Sequence, residues 1–134
     1  MVMRRLSVGP LIFSTALVFG AGSALGDPAV QTLAVDMSNY SFTPNTLQLH
    51  ANTPYRLELR NTSHSGHDFS ARQFFAVANV SPGDRAKIEN GEIEVDGGQT
   101  VDVTFTIPTP GIYKFRCTHF LHSAFGMTGE AVVR

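Results

Sequence analysis

Short stretches of alternating apolar and polar residues constrain the fold of this chain more than any other feature of the sequence. In residues 100–107, Val, Val, Phe and Ile alternate with Thr and Asp, which is the pattern of a strand with one buried face. Similar alternation occurs in residues 31–37, 47–49 and 55–60, and turn residues separate these segments. No long amphipathic helical pattern interrupts them. The sequence therefore predicts an all-β domain, a β-sandwich of Greek-key type.

Two stretches between the predicted strands leave their conformation open. Residues 72–77, Arg-Gln-Phe-Phe-Ala-Val, fit a short helix or an irregular strand. Residues 81–98 begin with a Ser-Pro-Gly-Asp turn and carry an excess of acidic residues. They fit a solvated strand and hairpin, with its turn at residues 96–98, and they also fit an acidic docking patch for a basic partner.

The N-terminal segment has the layout of an export signal. Arg4 and Arg5 precede an apolar run, residues 11–26, that is short for a membrane span and is interrupted by glycines. We therefore expect residues 1–26 to be a cleaved signal peptide and residues 27–134 to form one periplasmic or secreted domain, with no stable membrane insertion. An uncleaved anchor and a twin-arginine export signal stay open as alternatives.

The charge and the cysteine content of the predicted mature domain limit its partners. The full chain has ten basic and eleven acidic residues, and the leader removes two basic residues and no acid. The remaining domain has a net charge near −3, which argues against nucleic acid as a partner, because nucleic-acid recognition needs a basic face. A single cysteine cannot form an internal disulfide, so Cys117 is a free thiol, half of an intermolecular bridge or a metal ligand.

Three metal-ligating residues lie within one short segment near the C-terminus. Cys117, His122 and Met127 follow a Cys-x4-His-x4-Met pattern. A thiolate, an imidazole and a weak axial thioether belong to the ligand set of a blue-copper site. Such a site needs one more imidazole, which we expect from elsewhere in the chain.

The second imidazole is expected from a polar segment that contains both His64 and His67. Phe69 lies two residues after His67 and shares its inward face, so we predict His67 as the ligand and His64 as a solvent-exposed residue. His50 alternates with leucines on the polar face of a predicted strand, and we expect it outside the ligand set.

Both ligand segments resemble the cupredoxins, the group of azurin, plastocyanin and rusticyanin. Gly66-His67-Asp68-Phe69 is similar to the upstream histidine segment of that family, and Cys117-Thr118 followed by His122-Ser-Ala is similar to its ligand loop. The loop spacing is nearest to rusticyanin. His119 falls at a position that the family's loop histidine does not use, so we expect it outside the ligand set; a place near the rim of the site stays open. The resemblance implies one type 1 copper ion bound by four residues: His67, Cys117, His122 and Met127.

The resemblance also implies a protein that carries single electrons rather than an enzyme, because four protein ligands leave no open position for a substrate. An apolar rim around His122 would allow a redox protein to dock transiently, and we expect a monomer. Each rim residue fits simple packing of the loop equally well; the rim consists of Phe120, Leu121, Ala124 and Phe125. A copper-binding or copper-delivery protein without redox turnover and a metal-free sandwich stay open as alternatives.

Overall fold

Two five-stranded β-sheets form the domain. The computed structural model describes Gly26 and residues 28–134, so the predicted signal peptide, residues 1–26, lies outside the described residues except for Gly26. Among the described helices, none is long and apolar enough to cross a membrane. The ten strands are β1 (Gln31–Ser38), β2 (Ser41–Thr43), β3 (Thr46–Leu49), β4 (Tyr55–Asn61), β5 (His67–Ser70), β6 (Asn79–Val80), β7 (Glu92–Val95), β8 (Thr100–Thr106), β9 (Gly111–Arg116) and β10 (Thr128–Val133).

The strand order confirms the predicted all-β sandwich. One sheet has the order β2-β1-β4-β8-β6 and the other has the order β3-β10-β9-β5-β7. β1 lies parallel to β4, and β3 lies parallel to β10, whereas the other pairs are antiparallel. Successive strands often lie in different sheets, so the chain crosses repeatedly from one sheet to the other, as in Greek-key sandwiches.

The alternating segments bury one face, as their patterns predict. In β8, Val103 and Phe105 are buried between the sheets, and Ile107 directly after the strand is fully buried. β4 pairs with β8 and buries every second residue, beginning with Tyr55. Apolar side chains from both inner faces therefore meet in one core, which is the main source of stability for a sandwich of this kind.

The structure shows the backbone conformation of both stretches that the sequence leaves open. Residues Arg72–Val77 form a short helix, α1, which buries Phe74. A 3-10 helix covers Pro82–Lys87. The hairpin predicted around residues 96–98 is wrong: the turn exists, but β7 and β8 lie in opposite sheets. Turn chemistry determines where the chain reverses, whereas burial of both apolar faces decides which sheet each strand joins.

Three phenylalanine rings pack together in the core beside β5 and β9. The ring centroid of Phe69, on β5, is 4.5 Å from that of Phe115 and 5.9 Å from that of Phe42. Phe42 and Phe115 are themselves in an edge-to-face contact at 5.2 Å. Edge-to-face and tilted contacts of this kind add to the free energy of area burial, so this cluster holds β5 and β9 in a defined position.

Candidate metal centre

The pairing of β5 with β9 brings the two predicted ligand segments together. Ser70, the last residue of β5, lies opposite Arg116, the last residue of β9. Because the strands are antiparallel, the start of β5 lies beside the residues that follow β9. His67 opens β5 and Cys117 directly follows β9, so the two residues meet at the same end of the sheet.

The loop after Cys117 turns back on itself and places His122 beside His67 and Cys117. The His122 N–H donates to the His119 carbonyl, and the Met127 N–H donates to the His122 carbonyl. The Cys117 N–H in turn donates to the carbonyl of Met127 at 3.1 Å. Leu121 has a φ of +63° and Gly126 a φ of +100°, which lets the chain reverse twice within a few residues.

Three donor atoms form a compact triangle at this end of the sandwich. His67 Nδ1 lies 3.2 Å from His122 Nδ1, and Cys117 Sγ lies 3.9 Å from His67 Nδ1 and 3.4 Å from His122 Nδ1. A point equidistant from the three atoms is about 2 Å from each of them, and about 2 Å is the length of metal–imidazole bonds in proteins. The triangle therefore has the size that one transition-metal ion would need.

The backbone of Met127 lies beside that of Cys117, and the Met127 side chain is fully buried. It directly precedes β10, and its carbonyl accepts the hydrogen bond from Cys117. Burial fits both a core residue and a weak axial thioether ligand, since a thioether is apolar and polarizable. Its role as the fourth ligand stays a prediction.

The second ring nitrogen of His67 is held by two polar side chains that sequence reasoning missed. His67 Nε2 lies 3.0 Å from Asn39 Oδ1 and 3.0 Å from Ser63 Oγ. Because the Asn39 oxygen can only accept, Nε2 carries the proton and Nδ1 is left with its lone pair toward Cys117. Such partners orient metal-ligating histidines in general. Asn39 lies in the β1–β2 turn, far from His67 in the sequence, and no local pattern marks it.

Asp68 joins the two ligand segments through both its backbone and its side chain. The Asp68 N–H points to Cys117 Sγ at 3.5 Å. The Asp68 carboxylate accepts hydrogen bonds from the Thr118 N–H, at 2.9 Å, and from the Thr118 hydroxyl. A buried carboxylate with charge-assisted hydrogen bonds is a strong connection, so the histidine strand and the cysteine loop are held in register.

The protonation of the donors follows from their surroundings. Burial lowers the pKa of His67 below its ordinary value of 6.5, and the nearby imidazoles of His122 and His119 lower it further. Burial also raises the pKa of the Cys117 thiol above its ordinary value of 9.0, against the opposing effect of N–H groups from Asp68 and His119. Without a metal ion, His67 is therefore neutral and Cys117 is a thiol at pH 7.

The other three histidines do not join the triangle. His50 and His64 are exposed. His119 is half-buried, and its Nε2 lies 3.0 Å from the carboxylate of Glu94. Its ring centroid is 5.4 Å from that of His122, so His119 lies at the edge of the site.

The predicted apolar rim around His122 is exposed. Phe120 is 88% exposed, Phe125 62% and Leu121 49%, so packing of the loop against the sandwich does not account for these side chains. Tyr40, which sequence reasoning missed, extends the rim: its ring lies 4.8 Å from the His122 ring and 5.2 Å from the Phe125 ring. A partly exposed imidazole therefore lies within an apolar surface.

The loop before His67 is supported by Asn61 and Gly97. The buried Asn61 side chain donates to the carbonyls of Ser65 and Val95 and accepts from both Ser63 donors. A Cβ atom at Gly97 would lie 2.3 Å from the carbonyl oxygen of His64. The loop backbone thus passes directly over Gly97, at a distance that only glycine allows.

We expect Gly97→Ala to destabilise the protein by about 1–3 kcal/mol, the usual cost of overpacking. The added methyl group must displace the backbone at His64, and the displacement moves Ser63 away from His67. Chemical denaturation measures the change in the free energy of unfolding. Gly83→Ala is the matched control, because nothing lies within 4 Å of a Cβ atom there. Equal stability of the two variants would contradict the close approach.

Comparison with known proteins gives a family for this fold and site. The family model for the cupredoxin-like domain matches residues 10–133. The chain belongs to the cupredoxin-like family. Comparison with curated protein sequences gives no match. The family assignment agrees with the resemblance of the two ligand segments.

Solved structures of three auracyanins share the fold. Auracyanin B is 23% identical, with a TM-score of 0.55 over 80% of this chain and 90% of that chain. The dithionite-reduced auracyanin of Roseiflexus castenholzii is 19% identical, with a TM-score of 0.58 over 78% and 97%. Auracyanin A of Chloroflexus aurantiacus, described as a "blue" copper protein, is 20% identical, with a TM-score of 0.57 over 79% and 100%.

Proposed function

We propose that this cupredoxin is an exported type 1 copper protein that carries single electrons between redox partners. The observation that carries the proposal is the triangle of His67 Nδ1, His122 Nδ1 and Cys117 Sγ, whose size suits one bound ion. Two imidazoles and a thiolate, with the buried thioether of Met127 as a weak fourth donor, suit copper in both oxidation states. Copper also outranks zinc in intrinsic affinity for such donors.

A bound copper ion supplies a one-electron couple, and the protein determines how that couple is used. His67 and Cys117 are fully buried, so water and small ligands are kept away from two of the donors. His122 is partly exposed at the apolar rim, which makes its ring the shortest route for an electron from the site to a docked protein. With four protein donors, no position is left for a substrate, and we propose a carrier rather than an enzyme.

The deciding experiment is spectroscopy and voltammetry on the copper-loaded protein. We expect an intense visible thiolate-to-copper band, a type 1 paramagnetic resonance spectrum and reversible one-electron cycling. A colourless Cu(I) site that loses its metal to a chelator would instead support copper delivery. Failure to take up one equivalent of copper would overturn both functions.

Copper uptake by the metal-free protein is expected to become tighter as pH rises. The folded pKa of Cys117 is raised above 9.0, so between about pH 6.5, where free imidazoles become neutral, and pH 9 the thiol must release a proton to bind. One released proton corresponds to about a tenfold gain in affinity per pH unit. Competition with a copper chelator at several pH values measures this slope, and a flat profile would show that Cys117 does not bind the metal as a thiolate.

The rim of Phe120, Leu121, Ala124 and Phe125, extended by Tyr40, is the proposed docking surface for a redox partner. We expect Phe120→Glu to slow electron self-exchange about tenfold, because two like charges then meet where the rims of two molecules make contact. Line broadening in nuclear magnetic resonance of mixed oxidation states measures the rate. Ile112→Glu is the matched control, since Ile112 is 62% exposed and is the second residue of β9, at the end opposite Cys117. Equal rates in both variants would place the docking surface elsewhere.

The proposal also covers export. Residues 1–26 are a cleaved signal peptide, and residues 27–134 are the mature monomer in the periplasm or outside the cell. The support for this part of the proposal is the charge and hydropathy pattern of the leader. Mass spectrometry of the protein recovered from the producing cell tests it. A mature N-terminus near Asp27 is expected, whereas an intact N-terminus in the membrane fraction would favour an anchor.

A further inference from the structure

A second group of metal-ligating side chains lies beside the proposed copper ligands and uses none of their donor atoms. Asp68, Glu94 and His119 offer donor atoms that all lie within 4.8 Å of one another. His119 Nε2 lies 3.0 Å from each carboxylate oxygen of Glu94 and 3.9 Å from Asp68 Oδ2. The two carboxylates thus face the same ring nitrogen.

The strand register makes the two carboxylates direct neighbours. Asp68 on β5 lies opposite Glu94 on β7 in an antiparallel pair, and like charges in that position destabilise a sheet. Within the described residues, neither carboxylate has a lysine or arginine nitrogen within 4.0 Å, and His119 is the ion-pair partner of both. A divalent cation held by both carboxylates would offset the repulsion between them.

We propose that Asp68, Glu94 and His119 bind a divalent cation of the zinc type. For zinc–ligand bonds of about 2.0–2.2 Å, tetrahedral donors lie about 3.4 Å apart. The distances of 3.0 Å and 3.9 Å from His119 Nε2 lie on either side of that value. The donor atoms of Asp68 and Glu94 lie within 4.8 Å of each other, so movement of the exposed Glu94 side chain would bring the three donors to one ion.

Burial divides the roles of the three residues. The side chain of Asp68 is 4% exposed and is fixed by Thr118, whereas those of His119 and Glu94 are 34% and 53% exposed. Asp68 provides a rigid anchor, and the other two ligands can close on an ion that arrives from solvent. Gly66 has no side chain and so leaves room for Glu94 and His119. A Cβ atom at Gly66 would lie 2.9 Å from Glu94 Oε1.

The donor chemistry selects the class of cation. One imidazole with two carboxylates suits zinc, whereas calcium and magnesium prefer oxygen donors alone. Three protein ligands leave a fourth position for water. We therefore expect exchangeable binding that is weaker than at a closed structural zinc site.

The test is a calorimetric titration of the copper-loaded protein with zinc sulfate, in which the first site is already filled. One equivalent of zinc is expected to bind. Glu94→Gln and His119→Gln should each weaken zinc binding at least tenfold, because each removes one of three ligands. His64→Gln and Glu89→Gln are the matched controls, since both residues are exposed and lie outside the group, and both should bind zinc like the parent protein.

A second titration separates this proposal from the proposed copper function. Cys117→Ser combined with His122→Gln removes two of the three donors in the first triangle, and zinc binding that still depends on Glu94 is expected in that background. Absence of zinc binding, or binding that Glu94→Gln leaves unchanged in both backgrounds, would overturn the proposal and leave only a surface ion pair between Glu94 and His119.

Discussion

Cys117→Ser is expected to abolish the visible thiolate-to-copper band and to weaken copper binding by roughly 100-fold or more. Cys117 Sγ is the only sulfur of the donor triangle and lies 3.4 Å and 3.9 Å from the two imidazole nitrogens. A serine hydroxyl remains protonated and is a much poorer ligand for copper. Residues that only support a metal ligand already change affinity by about 10–100-fold, so loss of the thiolate itself should exceed that range.

The measurements are visible absorption after copper addition and competition with a chelator of known affinity. His50→Ala is the control, because His50 is an exposed histidine outside the triangle, and its removal should leave both the band and the affinity unchanged. A circular dichroism spectrum like that of the parent protein shows that the Cys117→Ser variant is folded. A retained visible band would contradict Cys117 as the copper ligand.

Phe69→Ala is expected to cost about 3–5 kcal/mol of unfolding free energy, the usual cost of removing a buried aromatic ring. Phe69 is 2% exposed, and its ring contacts those of Phe42, Phe75 and Phe115. Its removal leaves a cavity in the core next to β5 and β9, the two strands that carry His67 and lead to Cys117. Small domains have only about 5–15 kcal/mol of stability, so the loss is a large part of the total.

Urea denaturation of the metal-free protein measures this effect without a contribution from copper binding. Phe120→Ala is the matched control, because the same ring is removed from a side chain that is 88% exposed. Its stability should change by no more than about 0.5 kcal/mol. Similar losses in the two variants would mean that the ring of Phe69 does not hold the sandwich together.

Local pattern is sufficient to predict most of the strands, and together with the family resemblance it points to the candidate donor residues. The strands around Val103 and Leu57 were predicted from alternation, because the period of two reports directly which face is buried. His67 was preferred over His64 because Phe69 shares its face, and the structure brings His67, not His64, to Cys117 and His122. In both cases the information lies within a few neighbouring residues.

Features that depend on distant contacts were not predictable in this way. The residues of the turn at 96–98 predict a hairpin, yet the turn joins strands of opposite sheets. Asn39 and Tyr40 reach His67 and His122 from the β1–β2 turn, and Glu94 reaches His119 from β7. No short-range pattern marks these residues, because their position depends on which strands pair and in which register.

The amino-acid sequence by itself determined the all-β class and a set of candidate metal donors that includes a thiol and two imidazoles. These follow from side-chain chemistry and from the period of hydrophobicity, which act locally. Only the tertiary structure decided that His67 Nδ1, His122 Nδ1 and Cys117 Sγ form a triangle of the size of one ion, and that Asp68 lies opposite Glu94. Ångström-scale distances between segments 50 residues apart depend on strand pairing and core packing, which involve the whole chain at once.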